Sequence, residues 1–362
     1  MNSFIKYAGG KHSEMNIIQR HLPTDIENYY EPFVGGGSVF LSMYRNRLIK
    51  NDTYIINDKS RNLVNLYNHI KNNNNQLISI LSKLDRQWKL ISKFIDIYGN
   101  DLVSIYRNNP DITDSVSSWL KKFKDTEFKF CVSKPESIIN KLVNLSENIT
   151  NEEIKNNIES AIKSEMYMSV RSLYNKCISE NVFDAKRAAA YFFVSEFAYA
   201  GTTRYNSKNE FNVLYGGIGY NRKSLTDKIK FFGSVKNLFD KTIIHNLDFE
   251  EFLTQQNIKE NDFIFLDPPY DSEFSTYDNN VFNKEDHIRL EKLLSSINTR
   301  WMMVIKNTDF IYDLYNNKGY YIKSFDKKYT INLNNKNNRE VTHLIITSYD
   351  TVVNCSQKFV SL

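Results

Sequence analysis

The chain is 362 residues long, 41% hydrophobic and 25% charged, with a formal net charge of +5. That composition belongs to a folded globular protein, and the length allows one large domain with an insertion or two ordinary domains. Disordered and fibrous classes are excluded. No run of about 18 apolar residues occurs, so no membrane-spanning helix is expected. The start, Met1-Asn2-Ser3-Phe4-Ile5-Lys6, lacks the apolar core of a secretion signal, and an intracellular protein is expected. Three cysteines (Cys131, Cys177, Cys355) are widely spaced and odd in number, and none of the six histidines pairs with them at metal-ligand spacing. Reduced thiols and no metal site are therefore expected. The small positive excess is compatible with a nucleic-acid partner without requiring one.

Taken in chain order, short runs rich in Ile, Val and aromatics read as buried strands at residues 28–33, 54–57, 242–246, 263–266, 301–305, 320–325 and 341–347. Helical spacing follows several of them, at residues 38–47, 61–71, 249–256, 284–296 and 310–316. Strands alternating with helices predict an α/β, doubly wound parallel sheet. From about residue 72 to 200 strand-like runs nearly vanish, and residues 76–97, 152–163 and 185–197 carry helical spacing of apolar residues. A mostly helical insertion over residues 72–235 is expected, interrupting a domain made of residues 1–71 and 236–362; the alternative places these helices in the main core. Asn72 to Asn75 and Asn334 to Asn338 read as solvated loops.

Four motifs carry chemistry. Asp267-Pro268-Pro269-Tyr270 directly follows the apolar run Phe263-Ile264-Phe265-Leu266, at the carboxyl end of a strand, where ligands bind in open α/β sheets. Two prolines stiffen this loop and remove two backbone donors, leaving its carbonyls to accept. The Asp267 carboxylate and the Pro268 carbonyl form an acceptor pair suited to the two N–H groups of an exocyclic amine such as adenine N6, whose lone pair is otherwise delocalised into the ring. Held in this way, the nitrogen would face a methyl electrophile in line, and Tyr270 would stack on an extruded base. An ordinary Asp-Pro turn is the bland alternative. Next, Glu31-Pro32-Phe33-Val34-Gly35-Gly36-Gly37-Ser38-Val39-Phe40 leads a strand through a glycine turn into a helix, without the spacing of the dinucleotide fingerprint. Asp58 closes the next strand and is placed either to bind ribose hydroxyls or to cap the following helix. Lys6-Tyr7-Ala8-Gly9-Gly10-Lys11 reads as a loop approaching an anionic or carboxylate-bearing ligand.

In content and in order, these motifs resemble the Dam family (D12 class, alpha-group) of DNA adenine-N6 methyltransferases. Residues 6–11 resemble its N-terminal cofactor motif, residues 31–40 its glycine-rich motif, and residues 267–270 its catalytic motif in the Asp form. Asn246-Leu247-Asp248-Phe249 resembles the segment whose acidic residue lies near the cofactor's adenine. Gly201-Thr202-Thr203-Arg204-Tyr205-Asn206, followed by Glu210-Phe211-Asn212-Val213, resembles the part of the recognition region that enters DNA. The similarity covers roughly residues 1–70 and 195–350 and omits most of the helical insertion. Tyr7 stands where Trp is common and keeps the aromatic face; Leu214 stands where Pro is common, so a GATC target is not implied.

The resemblance implies a Rossmann-like S-adenosylmethionine-dependent methyltransferase fold with a mostly helical inserted target-recognition domain. It implies S-adenosyl-L-methionine as cofactor, double-stranded DNA as partner, and direct methyl transfer to an extruded adenine. Asp267, Pro268, Pro269 and Tyr270 would be catalytic. Tyr7, Lys11, Phe33, Gly35, Gly37, Asp58, Asp248, Phe249 and Asp267 would bind the cofactor. Lys6, Arg204, Tyr205, Asn206 and Asn212 would bind DNA, with Arg204 reading a guanine edge through O6 and N7. A companion restriction endonuclease is compatible with the family. N4-cytosine or RNA adenine methylation and a non-catalytic DNA-binding role stay open. Carbon-5 cytosine chemistry is excluded, since no cysteine follows a proline.

Overall fold

The computed structural model describes residues 3–7, 9–108, 149–270, 276–277, 280–328 and 340–351. Cys131, Cys355 and the asparagine stretch 334–338 lie outside the described residues. The chain divides into two compact units, Met1–Asn73 with Ser234–Leu362, and Asn74–Gly233.

The first unit is built on a seven-stranded sheet. Its strands are β1 (Ile26–Glu31), β2 (Ile49–Asn57), β3 (Thr242–His245), β4 (Phe263–Leu266), β7 (Arg300–Lys306), β8 (Tyr321–Lys328) and β9 (Glu340–Thr347), in the order β3-β2-β1-β4-β7-β9-β8. A separate two-stranded ribbon pairs β5 (Thr276–Tyr277) with β6 (Asn280–Val281). The pairings β3/β2, β2/β1, β1/β4 and β4/β7 are parallel. β9 runs antiparallel between β7 and β8. The sheet is therefore mixed, not wholly parallel, because the last two strands form a hairpin whose second strand inserts beside β7. Strand order reverses between β1 and β4, which makes their carboxyl ends the topological switch point.

The period-two alternation of the strands divides the core. Tyr29, Tyr54 and Phe263 lie on one face and are fully buried. That face carries α2 (Ser38–Arg45), α3 (Arg61–Lys71) and α8 (Lys236–Asp240), where Phe40, Tyr67 and Phe239 gather around Phe4. Their immediate neighbours in sequence, Tyr30, Ile55 and Ile264, join Trp301 and Met303 on the opposite face. There they meet Phe252, Leu290 and Ile311 of α9 (Phe249–Gln255), α10 (Lys284–Ser296) and α11 (Asp309–Tyr315). A short helix, α1 (Met15–His21), precedes β1. Each large side chain removed from water in this way contributes about 1.5–3 kcal/mol. Alternation, not overall hydrophobicity, thus places the sheet between two helical layers.

The second unit is helical, with α4 (Asn75–Asn108), α5 (Asn151–Ser179), α6 (Ala185–Phe197) and α7, which begins at Thr226. α4 and α5 are longer than the spacing of apolar residues suggests. Asn74 accepts from the backbone N–H of Gln76 and Leu77, so one of the asparagines read as solvated loop initiates α4. Thr150 and Glu153 form a reciprocal capping box at α5, and Asp184 caps α6. Trp88 is fully buried, with the ring of Phe197 tilted against it at 4.2 Å and that of Phe193 edge-on at 5.6 Å. Residues 198–225 pack on these helices through buried charge. Asp85 accepts from Leu225 N at 2.7 Å, and Glu196 pairs with Lys223 and Lys228. Lys163 and Glu159, both fully buried, pair with one another, and Lys163 also donates to the carbonyl of Asn221.

Candidate active site

Parallel strands deliver their following loops to a single edge, and four such loops meet at one cleft. β1 is followed by Pro32 and Phe33, β2 by Asp58, β3 by Leu247 and Asp248, and β4 by Asp267–Tyr270. Asn57, the last residue of β2, is buried and ties three of these loops together. Its amide donates to the carbonyls of Pro32 (3.0 Å) and Leu247 (3.1 Å), and its oxygen accepts from Leu247 N at 2.8 Å. The resulting cleft encloses about 980 Å³ including its open mouth.

One end of the cleft is aromatic. Phe33, Phe249 and Phe282 meet pairwise with ring centroids 5.6–5.7 Å apart. The middle carries Asp58, whose Oδ2 accepts from Gly35 N at 3.0 Å and Oδ1 from Ser60 N at 2.9 Å. Asp58 therefore braces the glycine turn, while the cap of α3 is Ser60, which accepts from Leu63 N at 3.3 Å.

The other end is polar. Lys11, only 3% exposed, forms an ion pair with Oδ1 of Asp267 and donates to the Gly9 carbonyl at 3.2 Å and the Tyr270 hydroxyl at 3.3 Å. Its ammonium also lies 5.4 Å from the centroid of the Tyr270 ring. The expected cofactor residue Lys11 and the expected catalytic residues Asp267 and Tyr270 thus form one cluster.

Tyr7, Lys11, Phe33, Gly35, Gly37, Asp58, Asp248, Phe249, Asp267, Pro268, Pro269 and Tyr270 all line this cleft. Lys6 is half-buried and is not among the lining residues. Gly36, not singled out from the sequence, is required by a close approach: a Cβ there would stand 3.0 Å from the Ile5 carbonyl oxygen and 3.1 Å from Tyr7 Cβ.

Glu31 heads the glycine-rich motif but carries no expected role, since a charged residue closing an apolar strand looks like an ordinary strand end. It is buried, lines the cleft, and accepts a 2.6 Å hydrogen bond from the Tyr29 hydroxyl. Burial pushes its carboxyl well above the ordinary carboxylate range. The Tyr29 hydroxyl and the Phe40 N–H oppose this, whereas Asp267 and Asp58 push in the same direction as burial. Below the unfolded value near 4.5 the group is protonated in both states and costs nothing. Above it the unfolded chain ionises while the folded one resists, so stability is lost as pH rises toward the folded value. Glu31→Gln is therefore expected to gain melting temperature over the wild type as pH rises from about 5 to about 8. A difference that stays constant across that range overturns this assignment.

In the second unit Arg204, Tyr205, Asn206 and Asn212 share a hairpin-like loop. Arg204 Nε donates to Asn212 Oδ1 at 2.9 Å, and Asn212 N donates to the Arg204 carbonyl at 3.0 Å. Arg204 is exposed, with its guanidinium oriented by Asn212. Tyr205 is held by a 2.8 Å hydroxyl contact with Tyr174 and an edge contact with Phe211. Asn206 accepts from Lys208 N and Glu210 N and donates to the Glu210 carboxylate, which closes the turn. Neighbouring Tyr199 and Leu214 expose 51% and 64% of their surface.

No helix among the described residues is long and apolar enough to cross a membrane, and no group of three or more potential metal ligands is found among them.

Comparison with known proteins accords with this geometry. The family model of the D12 class N6 adenine-specific DNA methyltransferases matches residues 7–331. Type II methyltransferase M.CviBI of Paramecium bursaria Chlorella virus NC1A is 26% identical over 356 residues, 96% of this chain and 100% of that protein. Type II methyltransferase M.MjaIII of Methanocaldococcus jannaschii is 26% identical over 362 residues, 96% of this chain and 98% of that protein. The DNA adenine methylase of Salmonella typhi is 22% identical over 313 residues, 85% of this chain and 81% of that protein. With a family model spanning the switch-point cleft, the glycine turn and the inserted helices, the chain belongs to the D12 class N6 adenine-specific DNA methyltransferases.

Proposed function

We propose that the enzyme transfers a methyl group from S-adenosyl-L-methionine to the N6 amine of an adenine extruded from double-stranded DNA. The observation that carries this reading is the placement of Asp267 and Pro268 at the end of β4, in the same cleft as the glycine turn and the aromatic end. The donor set fits a sulfonium nucleoside: Phe33, Phe249 and Phe282 for a purine and Asp58 for ribose hydroxyls. When bound, this cofactor supplies an electrophilic methyl group.

The protein's own residues do the rest. Tyr270 offers its ring face to the base. The Asp267 carboxylate and the Pro268 carbonyl accept the two N6–H groups, which concentrates lone-pair density on nitrogen and stabilises the positive charge that develops there. Lys11 fixes the rotamer of Asp267 through Oδ1. The unit Asn74–Gly233 is assigned to target recognition, with Arg204 held by Asn212 to read a base edge. Tyr205 and Asn206 shape that loop, and Lys6 is assigned to the DNA backbone. A companion restriction endonuclease belongs to the same proposal.

The test is to incubate the purified protein with unmethylated genomic DNA and methyl-labelled S-adenosylmethionine, then to map modified bases. N6-methyladenine confined to one short motif is the expected result. Label on cytosine or on RNA, with none on adenine in DNA, overturns the substrate assignment.

A further inference from the structure

Arg289, on the first turns of α10, belongs to none of the sequence motifs, yet it contacts three carboxylates. Its Nη2 donates to Asp248 Oδ1 at 2.9 Å and to Glu250 Oε2 at 2.6 Å, and its Nη1 donates to Asp286 Oδ1 at 2.6 Å. The guanidinium also lies 4.9 Å from the centroid of the Phe249 ring. Asp248, Phe249 and Asp286 line the aromatic end of the cleft. Arg289 therefore braces both the acid and the ring at that end.

Lone-pair counting shows what the brace leaves over. Oδ1 of Asp248 accepts from Glu250 N at 3.1 Å as well as from Arg289, so both of its lone pairs are used. Among the described residues, Oδ2 accepts only a long 3.3 Å contact from Lys59, whose side chain is 55% exposed. Burial raises the Asp248 carboxyl, but the Glu250 N–H, Arg289 and Lys59 together bring it below its ordinary value, so it stays an acceptor.

We infer that Arg289 is the positioning residue of the base-binding end of the cleft: by holding Oδ1 of Asp248 and lying against Phe249, it leaves Oδ2 to accept from the exocyclic amine of the cofactor's purine, so that an aminopurine is selected over an oxopurine. This rests on the reading that the cleft takes S-adenosylmethionine. A bidentate guanidinium is needed because one planar group must serve three acids and a ring face, which a lysine ammonium does not do.

Calorimetric binding of S-adenosyl-L-homocysteine and of its inosyl counterpart, in which a carbonyl oxygen replaces the amine, tests the inference without turnover. The wild type is expected to prefer the adenosyl ligand by tenfold or more, about the worth of one charge-assisted hydrogen bond and the relief of an acceptor–acceptor clash. In Arg289→Met the adenosyl affinity is expected to fall by about tenfold and the inosyl affinity to stay, so the preference collapses. Arg289→Lys is expected to fall between the two, and its melting temperature controls for folding. Equal weakening of both ligands in Arg289→Met, or an unchanged preference, overturns the inference and leaves the cofactor assignment standing. A wild type that binds neither ligand overturns the cofactor assignment itself, and the inference with it.

Discussion

Asp267→Ala is expected to lower methyl transfer to adenine about a thousandfold or more while leaving cofactor affinity within a few-fold of the wild type. The carboxylate contributes little to ground-state binding of the donor, but it faces the nitrogen on which positive charge appears during transfer. Removal of one preorganised polar partner from such a position costs about two to three orders of magnitude. Loss of the charge opposite Lys11 adds a second effect. Lys11 is 3% exposed, and without Asp267 its remaining hydrogen bonds go to the Gly9 carbonyl and the Tyr270 hydroxyl. Stranding a buried cation destabilises the fold by several kcal/mol at most, on the order of 3–5. The double variant Lys11→Met/Asp267→Asn separates the two effects, because it restores stability without restoring an anionic acceptor. Single-turnover transfer, cofactor titration and melting temperature, measured on all three proteins, check the result. Near-normal transfer by Asp267→Ala sinks the catalytic assignment, whatever its melting temperature.

Gly37→Ala is expected to destabilise the first unit by about 2–4 kcal/mol and to weaken cofactor binding. Gly37 adopts φ +72° at the start of α2, where an L side chain is strained. Its Cβ would stand 2.8 Å from both Phe4 Cδ2 and the Tyr67 hydroxyl. Neither neighbour yields easily. Phe4 is fully buried among Phe40, Tyr67 and Phe239, and the Tyr67 hydroxyl donates to the Gly35 carbonyl at 2.7 Å. Pushing Tyr67 aside therefore disturbs the very turn that lines the cleft. Gly319→Ala is the control. Gly319 has φ +82°, but a methyl group added there would meet no side chain or backbone of another segment within 4 Å, so it bears the conformational cost alone, about 1 kcal/mol. Thermal melting of both variants checks the difference. Equal losses would mean that backbone strain, not packing against Phe4 and Tyr67, sets the requirement.

The residues that could be assigned from sequence are those whose chemistry is written locally. A strand of four apolar residues ending in Asp267-Pro268-Pro269-Tyr270 carries its own direction and its own end, as does a strand running into three glycines. Parallel pairing then brings those ends to one edge without further instruction, so Phe33, Asp58, Asp248 and Asp267 meet in one cleft. Other features depend on contacts between distant segments, which no local pattern encodes. Lys11 reaches Asp267 across 256 positions, and Asn57 holds Leu247 across 190. Arg289 grips Asp248 from a helix whose own spacing shows only an amphipathic surface. Asp58 had two roles open to it in the sequence; the tertiary structure gives the helix cap to Ser60 and turns Asp58 toward the glycine turn. Alternation likewise fixes which face a side chain of β9 takes but not which way its strand runs. Sequence alone thus determined which residues stand at each strand end, because a strand and its end are set by neighbouring residues. Only the tertiary structure decided which groups hold those ends in place, because that is set by packing between segments far apart in the chain.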